Sequence, residues 1–395
     1  MTATQTPAAP AGKTVPVQTR SERLTSFKHA DFQPVTGREA EWKYTPVRDI
    51  KDLLDDKLAA DLPNVVDPQV DGISTSFIGR DDERLGSVHA PEDRVAANAW
   101  EAFDKALLIS ITGEEDKQAV VRLNGYTGQA QAAHTFIDIA PHARGLVVLV
   151  QEGAGRVAET VEIRVGDGAN VTLVTVGEWD DEAVNVSAHH AYVGRDAFLK
   201  HIVVSLNGKL VRLNPSIALA ENGADAELYG LYFADAGQHL EHQVWVHHIA
   251  EKTRSRVTYK GALQGKTAHS VWIGDVLIDA NAVGTDTYEE NRNLLLSRGP
   301  KADSVPNLEI KCGNIEGAGH ASATGRFEED QLFYLMARGI DERAARHLVV
   351  HGFLNEIIQQ IDNEEITTEL NERLEQELEI ADKAFAAAAA AEVNA

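Results

Sequence analysis

Histidine gives this chain most of its capacity to bind transition metals, since the sequence holds 15 histidines and a single cysteine. Residues 189–269 are rich in histidine and contain two adjacent pairs, His189–His190 and His247–His248. The group that we consider consists of these four residues and His239, His242 and His269. On a β-strand, adjacent side chains point to opposite faces, so neither pair can chelate one metal ion alone. We therefore expect surface histidines with ordinary hydrogen bonds, and the alternative is a metal site assembled between neighbouring strands.

The single cysteine, Cys312, restricts the metal and redox chemistry of the chain. One thiol cannot form an internal disulfide, a four-cysteine cluster site or a structural zinc site built on thiolates. A chain without disulfides fits a reducing compartment. We expect Cys312 to pack as a small buried hydrophobe, and the alternative is a role in handling iron or sulfur.

The segment GALQGKT, from Gly261 to Thr267, is similar to a phosphate-binding loop but fails on two counts. Only three residues separate its glycines, where such a loop needs four. A strand-like pattern follows it, where a helix N-terminus is needed to hold the phosphates. We expect no ATP binding here. The sequence also contains no local signature of a Ser-His-Asp or Cys-His-Asn hydrolase.

The composition favours a soluble cytoplasmic protein. Of 395 residues, 43% are hydrophobic and 25% are charged, and the net charge of −24 argues against a nucleic-acid partner. Residues 1–20 have no apolar core, so we expect a disordered tail there and neither a signal peptide nor a membrane span. The alanine tract near the C-terminus is too short to cross a bilayer.

The predicted secondary structure changes along the chain. Residues 21–106 mix helical periodicity with prolines, which predicts a small helical domain. From residue 107 to residue 310, short β-rich runs alternate with glycine turns, and Gly166, Gly194 and Gly223 recur at spacings of 28 and 29 residues. No long helical stretch lies between the β-rich runs, so the pattern argues against a sheet built from βαβ units. It predicts either a β-sandwich or a β-solenoid.

The C-terminal part is predicted to be helical. We expect a helix over Gln331–Ala337, a second helix capped by Asp341 and a third capped by Thr367 or Thr368. The predicted apolar stripes are Ala345, Leu348, Val349, Phe353, Ile357 and Ile361, then Leu370, Leu374, Leu378 and Ala381. Residues 362–382 hold nine acids and one base. They predict a solvated helix face, or alternatively a docking surface for a basic partner.

Three segments together resemble the SufB/SufD family, the non-ATPase scaffold of the Suf machinery for iron–sulfur cluster assembly. They are GREAEWKYTP (Gly37–Pro46), NRNLLLSRGPKADSVPNLEI (Asn291–Ile310) and NLEIKCGNIEGAGHASATGRFEEDQLFYLMARG (Asn307–Gly339). The resemblance covers residues 30 to 360 approximately, in the same order as in the family. It implies a mainly β fold, a right-handed parallel β-helix flanked by helical domains at both ends. We place the β-helix at 107–322 and the C-terminal domain at 323–395.

The resemblance also implies a function without catalytic turnover. The single cysteine and short N-terminus resemble SufD more than SufB. A SufD-like chain would pair with SufB through the end strands of its β-helix and would aid iron entry. The isolated chain would hold no tightly bound cofactor, and iron or a cluster would be shared with SufB. Without its partner, the chain could form a homodimer. It would hold the SufC ATPase on its C-terminal helices, where we expect contacts from Asp330, Tyr334, Arg338 and Arg343.

His320 is the residue that the resemblance assigns most directly. It stands five residues before Gly325, as the histidine of the family's Cys-Ser-His turn does, once one residue is inserted upstream. In the family this histidine faces a SufB cysteine at the site of nascent cluster assembly. The family's cysteine position falls on Ala318 or Gly317, neither of which can ligate metal, and Cys312 does not match it. The alternative is a histidine that packs in a turn at the end of the β-helix.

Two other functions are compatible with parts of the sequence. A β-helix enzyme acting on polysaccharides would be exported and would use aromatic sugar platforms, but the aromatic content is only 6%. A SufB-like subunit that itself accepts sulfur would depend on Cys312 alone. Whether flavin binds is left open by the residues.

Overall fold

The structure is a computed structural model that describes residue 20, residues 23–326 and residues 329–393, the last range without the side chains of 329–331 and 381–393. The predicted disordered tail, residues 1–20, lies outside the described residues except for Arg20. The described chain is mainly β, a parallel solenoid of about eight turns with helices at both ends, which confirms the predicted fold class.

Two nine-stranded sheets form the solenoid, and from β3 onward successive strands alternate between them. Sheet A consists of β2 (Ile73–Gly79), β3 (Lys105–Ile111), β5 (Ala130–Ile139), β7 (Arg156–Val165), β9 (Val184–Val193), β11 (Leu210–Leu219), β13 (His239–His248), β15 (His269–Ile278) and β17 (Lys301–Ile310). Sheet B consists of β1 (Asn64–Val66), β4 (Gln118–Tyr126), β6 (Arg144–Gly153), β8 (Asn170–Trp179), β10 (Phe198–Ser205), β12 (Asp225–Ala234), β14 (Arg254–Leu263), β16 (Asp286–Leu295) and β18 (Gly317–Arg326). Neighbouring strands are parallel except for the pairs β1–β4 and β2–β3.

Two of the three periodic glycines, Gly166 and Gly194, are one turn of the solenoid apart, whereas Gly223 lies next to Asp196 and is not stacked on Gly194. Gly166 and Gly194 follow β7 and β9 at the same edge of sheet A, and the backbone N–H of Gly194 donates to the carbonyl of Val165 at 3.0 Å. A Cβ atom on Gly194 would lie 2.9 Å from that same carbonyl oxygen, so the stacked turns need glycine there. The 28-residue spacing between Gly166 and Gly194 therefore equals the length of one turn.

Both faces of each sheet are covered, which explains why many strands read as continuous apolar runs. The inner faces pack on each other through valine, leucine and isoleucine side chains. The outer face of sheet A packs against the N-terminal segment, through residues such as Trp42, Leu53 and Phe103. The outer face of sheet B packs against the C-terminal helices, through residues such as Val350 and Leu354.

The described part of the N-terminal segment contains two α-helices, two strands and three 3-10 helices, which are His29–Asp31, Ala40–Trp42 and Val47–Ile50. Helix α1 spans Lys51–Asp55, and helix α2 spans Arg94–Ala102. The chain leaves the helix because β3 begins at Lys105 and joins sheet A. The sequence analysis did not predict strands β1 and β2. At the first end of the solenoid, β1 pairs antiparallel with β4, and β2 pairs antiparallel with β3.

Three helices follow the last strand: α3 (Glu329–Ala337), α4 (Glu342–Ile358) and α5 (Glu364–Val393). Asp341 caps α4 as predicted, since its carboxylate accepts from the N–H of Ala344 at 3.0 Å. The predicted cap of α5 is wrong, because the Asn363 side chain accepts from the N–H of Ile366 at 3.0 Å and the helix begins earlier.

The predicted stripe of α4 is partly wrong. Leu348 is 53% exposed, whereas Val350 and Leu354 are buried. The helix packs on strands β12 and β14, and this contact turns a neighbouring set of residues toward the solenoid. Residues Leu370, Leu374 and Leu378 of α5 are buried as expected.

Candidate functional site at the open end of the solenoid

The last two strands leave one end of the solenoid open. Strand β17 pairs only with β15, and β18 pairs only with β16, so within the described residues each presents one unpaired edge. Each has ten residues, and most side chains on them are exposed or half-buried. At the opposite end the terminal strands β1 and β2 are shorter, with three and seven residues. Short edge strands protect against further pairing, whereas long regular ones are templates for it.

His320 lies on the open end, in the terminal strand β18. Its side chain is 42% exposed, and its Nδ1 lies 3.8 Å from Oε1 of Glu289 on the neighbouring strand β16. The two residues are direct register partners, so the parallel pairing of the strands places them side by side. An exposed imidazole is thus held above a buried carboxyl group.

The carboxyl group of Glu289 is 1% exposed. Neither oxygen makes a hydrogen bond of good geometry in the described part of the chain. The backbone N–H of Asn307 is near enough to lower the pKa of Glu289 weakly. Burial, reinforced by the charge of Asp275, raises the pKa of Glu289 to about 8. The group is therefore largely protonated at neutral pH.

Cys312 lies in the connection between β17 and β18. It is buried within the core between the two sheets, and its thiol lies 3.6 Å from the carbonyl oxygen of Asn314. This confirms the expected packing of Cys312 as a small buried side chain. No hydrogen bond or ion pair joins Cys312 to His320 among the described residues.

The residues expected to dock the ATPase lie on α3 and α4. Tyr334 is exposed, and the guanidinium group of Arg338 lies 4.6 Å from the centre of its ring. Arg343 forms an ion pair with Glu379 of α5 at 3.7 Å. The side chain of Asp330 lies outside the described residues.

The sequence analysis missed an apolar surface on the same two helices. We define it as the docking patch, whose members are exposed large side chains: Phe333, Tyr334, Met336 and Leu348. Phe333 is 73% exposed. The signal was present in the sequence FYLM, which places apolar residues all round one helical turn, more than one packed face can bury.

The prediction of surface histidines is wrong for most of the group. Buried members are His189, His190, His239, His242 and His248, while His247 and His269 are half-buried. His190 and His239 are buried because the N-terminal segment covers the outer face of sheet A. His189, His242 and His248 are buried because they point into the interior between the two sheets. His189 and His190 do point to opposite faces as expected: His189 lies 3.2 Å from His201 across the interior, and His190 stacks on His89 of the N-terminal segment.

The segment from Gly261 to Thr267 consists of the end of β14 and the turn that leads to β15, so a strand follows it as its sequence pattern predicted. Gly261 belongs to β14, and β15 begins two residues after Thr267. A Cβ atom on Gly261 would overlap the ring of Tyr232, so this glycine makes room for an aromatic side chain in the core.

Comparisons with known proteins point to one family. Residues 121–353 match the family model described as "SUF system FeS cluster assembly, SufBD core domain". An iron-sulfur cluster assembly SufBD family protein of Mycobacterium bovis is 45% identical over 373 residues, 91% of this chain and 94% of that protein. One from Mycobacterium leprae is 42% identical over 381 residues, 93% of this chain and 97% of that protein.

A more distant relative carries a more specific name. The iron-sulfur cluster assembly protein SufD of Plasmodium berghei is 30% identical over 190 residues, 48% of this chain and 14% of that protein.

The parallel β-solenoid with helices at both ends places the chain in the class of mainly β solenoid proteins. The matches extend along nearly the whole chain, and the chain belongs to the SufBD family of iron–sulfur cluster assembly. None of the described helices is both long enough and apolar enough to span a membrane.

Proposed function

We propose that this chain is the SufD-like subunit of a cytoplasmic Suf complex, without catalytic turnover of its own. It pairs with a SufB-like subunit through the open end of the solenoid and holds a SufC-like ATPase on its C-terminal helices. It contributes His320 to the site of nascent cluster assembly and aids iron entry. The observation that carries the proposal is the open end, where two long edge strands present His320 to a partner.

An open solenoid end favours a partner with the same architecture. The unpaired N–H and C=O groups of β17 and β18 can be satisfied by further parallel strands at the same spacing. A SufB-like chain, from the same family, offers such strands. The small residues around His320, from Gly317 to Ser322 in β18, let a partner backbone approach closely.

His320 has the chemistry that a shared iron site needs. A neutral imidazole is a good ligand for iron, and a site between two subunits lets each supply only part of the coordination. Because Glu289 is largely protonated at neutral pH, it offers no negative charge that would hold His320 in an ion pair. The cluster is cargo in this scheme, and a cysteine of the partner supplies the thiolate.

The SufD-like assignment agrees with the position of the thiol. A subunit that accepts sulfur needs an accessible thiolate. The only cysteine of this chain, Cys312, is buried in the core. The docking patch on α3 and α4 gives the proposed ATPase an apolar surface of the kind found at protein interfaces.

Co-purification with a SufB-like subunit tests the proposal. Ser322 on β18 is exposed at the open end, and Ser76 on β2 is exposed on the terminal strand at the other end. Ser322→Lys places a charge where the partner's strands would stack, and we expect it to reduce recovery of the SufB-like subunit about tenfold or more. The matched variant Ser76→Lys should leave recovery unchanged. Equal recovery with both variants would show that the open end is not the interface.

A further inference from the structure

A second group of metal-binding side chains lies on the outer face of sheet A, apart from the open end. There the loop that precedes α2 crosses strands β7 and β9. The backbone N–H groups of Gly86 and Val88 donate to the two carboxylate oxygens of Glu162 on β7, at 2.7 and 3.1 Å. These bonds fix the loop, and they bring His89 and Glu92 over His190 of β9.

Three side chains converge at this point. One ligand atom from each of His89, Glu92 and His190 lies within 4.8 Å of the others. Nε2 of His89 is 3.7 Å from Oε1 of Glu92. The two imidazole rings are stacked, with centres 4.8 Å apart and planes at 9°, so one ring must turn before both can coordinate the same ion in their ring planes. Around one ion with metal–nitrogen bonds of about 2.0–2.1 Å, ligand atoms lie about 3–4 Å apart, so these side chains must move closer together by about 1 Å when an ion binds.

Two of the three side chains have buried polar atoms without a hydrogen-bond partner in the described part of the chain. His190 is 2% exposed, and neither of its ring nitrogens makes a hydrogen bond. Oε1 of Glu92 is also buried without a hydrogen bond. Other buried histidines in that part of the chain lack a partner at one ring nitrogen at most, and both ring nitrogens of His248 are bonded, to the hydroxyl groups of Thr253 and Ser255. Buried polar atoms without partners are costly and rare, so their convergence at one point indicates a missing ligand.

The other polar atoms of the same side chains are already used. Nδ1 of His89 donates to the carbonyl oxygen of Ala90 at 2.5 Å, so Nε2 is the ring nitrogen that faces Glu92. Oε2 of Glu92 accepts from Nε of Arg20 at 3.1 Å. Arg20 in turn donates to the carbonyl oxygen of Gln243 and to the hydroxyl of Ser216. Such outer bonds orient the ligands of known metal sites.

The protonation states of Glu92 and His190 also suit a metal ion. Burial opposes ionisation of Glu92, but the charges of Arg20 and its other neighbours outweigh burial and lower the pKa of Glu92 to about 2. Burial lowers the pKa of His190 to about 4. At neutral pH the group therefore contains a carboxylate and an unprotonated imidazole, the forms that coordinate metals.

We propose that His89, Glu92 and His190 bind one divalent transition-metal ion, with two imidazole nitrogens and one carboxylate oxygen as the protein ligands. This ligand set suits ions of the Zn²⁺, Fe²⁺ and Co²⁺ class rather than Mg²⁺ or Ca²⁺, which prefer oxygen. Because His190 belongs to the solenoid and the other two ligands to the N-terminal segment, the ion ties that segment to sheet A. The proposal is independent of the partner at the open end.

The full-length chain, stripped with a chelator and dialysed, provides the test. Titration with Co²⁺ should show one saturable equivalent, with weak visible bands and without the intense near-ultraviolet band of cobalt–thiolate bonding. Zn²⁺ should displace Co²⁺ and raise the melting temperature of the protein. A thiolate band would instead place the metal at Cys312 and overturn the assignment.

Two substitutions separate binding from folding. His190→Phe keeps a ring of similar shape and removes two buried nitrogens without partners, so the chelator-treated variant should melt at or above the wild-type temperature. It should bind Co²⁺ at least about tenfold more weakly. Glu92→Gln, which keeps the size of the side chain, should also bind Co²⁺ at least about tenfold more weakly. The control His142→Asn changes an exposed histidine in a turn at φ of 60° and should bind normally. Unchanged affinity and stoichiometry in both ligand variants, or the absence of any saturable equivalent in the wild type, would refute the site.

Discussion

The Nδ1 atom of His320 lies 3.8 Å from Oε1 of Glu289, so an exposed imidazole on the terminal strand stands next to a buried carboxyl group one strand away. Their direct pairing across β18 and β16 fixes this arrangement in the backbone. It follows that the protonation state of Glu289 is part of the chemistry of the open end. A proton on that group at neutral pH leaves the imidazole without an adjacent negative charge.

The first prediction concerns the pH dependence of stability. Burial raises the pKa of Glu289 from 4.5 to about 8, so between these values the folded chain binds a proton that the unfolded chain has released. The stabilising contribution of protonated Glu289 to the free energy of unfolding is fully present below pH 4.5 and is lost as the pH rises through about 8. Urea denaturation should show the free energy of unfolding falling with pH by up to about 1.4 kcal/mol per unit from this group. Glu289→Gln should remove that part of the slope. Parallel profiles for the two proteins would contradict the prediction.

The second prediction separates the two candidate residues at the open end. In cells that depend on this chain, His320→Ala should reduce cluster assembly strongly, because it removes an exposed ligand without changing the core. Cys312→Ser should affect assembly weakly, since that thiol is buried. Both variants need the same complementation assay, with the yield of the SufB-containing complex measured in parallel. If only Cys312→Ser abolishes assembly, the wrong residue has been assigned, and if neither does, the chain is purely architectural.

The sequence predicted the repeating strands well and the environment of their side chains less well. Glycines at one-turn spacing and strand-length apolar runs follow from the local geometry of a solenoid, which the sequence records directly. Burial of His190 depends on a loop about one hundred residues earlier in the chain, and no local pattern records that contact. The stripe of α4 was misplaced for the same reason, because the packing of the helix on β12 and β14 decides which of its apolar residues are covered.

The third prediction tests the reading of Gly261 as a packing residue. A Cβ atom there would overlap the ring of Tyr232, which is fully buried and donates a hydrogen bond to Asn293 at 2.6 Å. Gly261→Ala should therefore destabilise the protein by about 1–3 kcal/mol, as overpacking of a core does. Chemical denaturation measures this change. The matched variant Gly313→Ala meets no atom within 4 Å and should be nearly neutral. Equal stabilities of the two variants would show that the core at Tyr232 can relax.

The last prediction concerns the docking patch. Phe333 is 73% exposed on α3, and Phe333→Ser should reduce co-purification of the SufC-like ATPase about tenfold or more, since large apolar side chains dominate such interfaces. Ile380 on α5 is 51% exposed and lies outside the patch, so Ile380→Ser controls for loss of surface hydrophobicity. Point variants are preferable to a deletion, because Val350 and Leu354 of α4 cover the outer face of sheet B and their removal would expose the core. Recovery of the SufB-like subunit should stay normal in both variants, since the open end is unchanged. If Ile380→Ser and Phe333→Ser reduce ATPase recovery equally, the ATPase does not recognise the patch specifically.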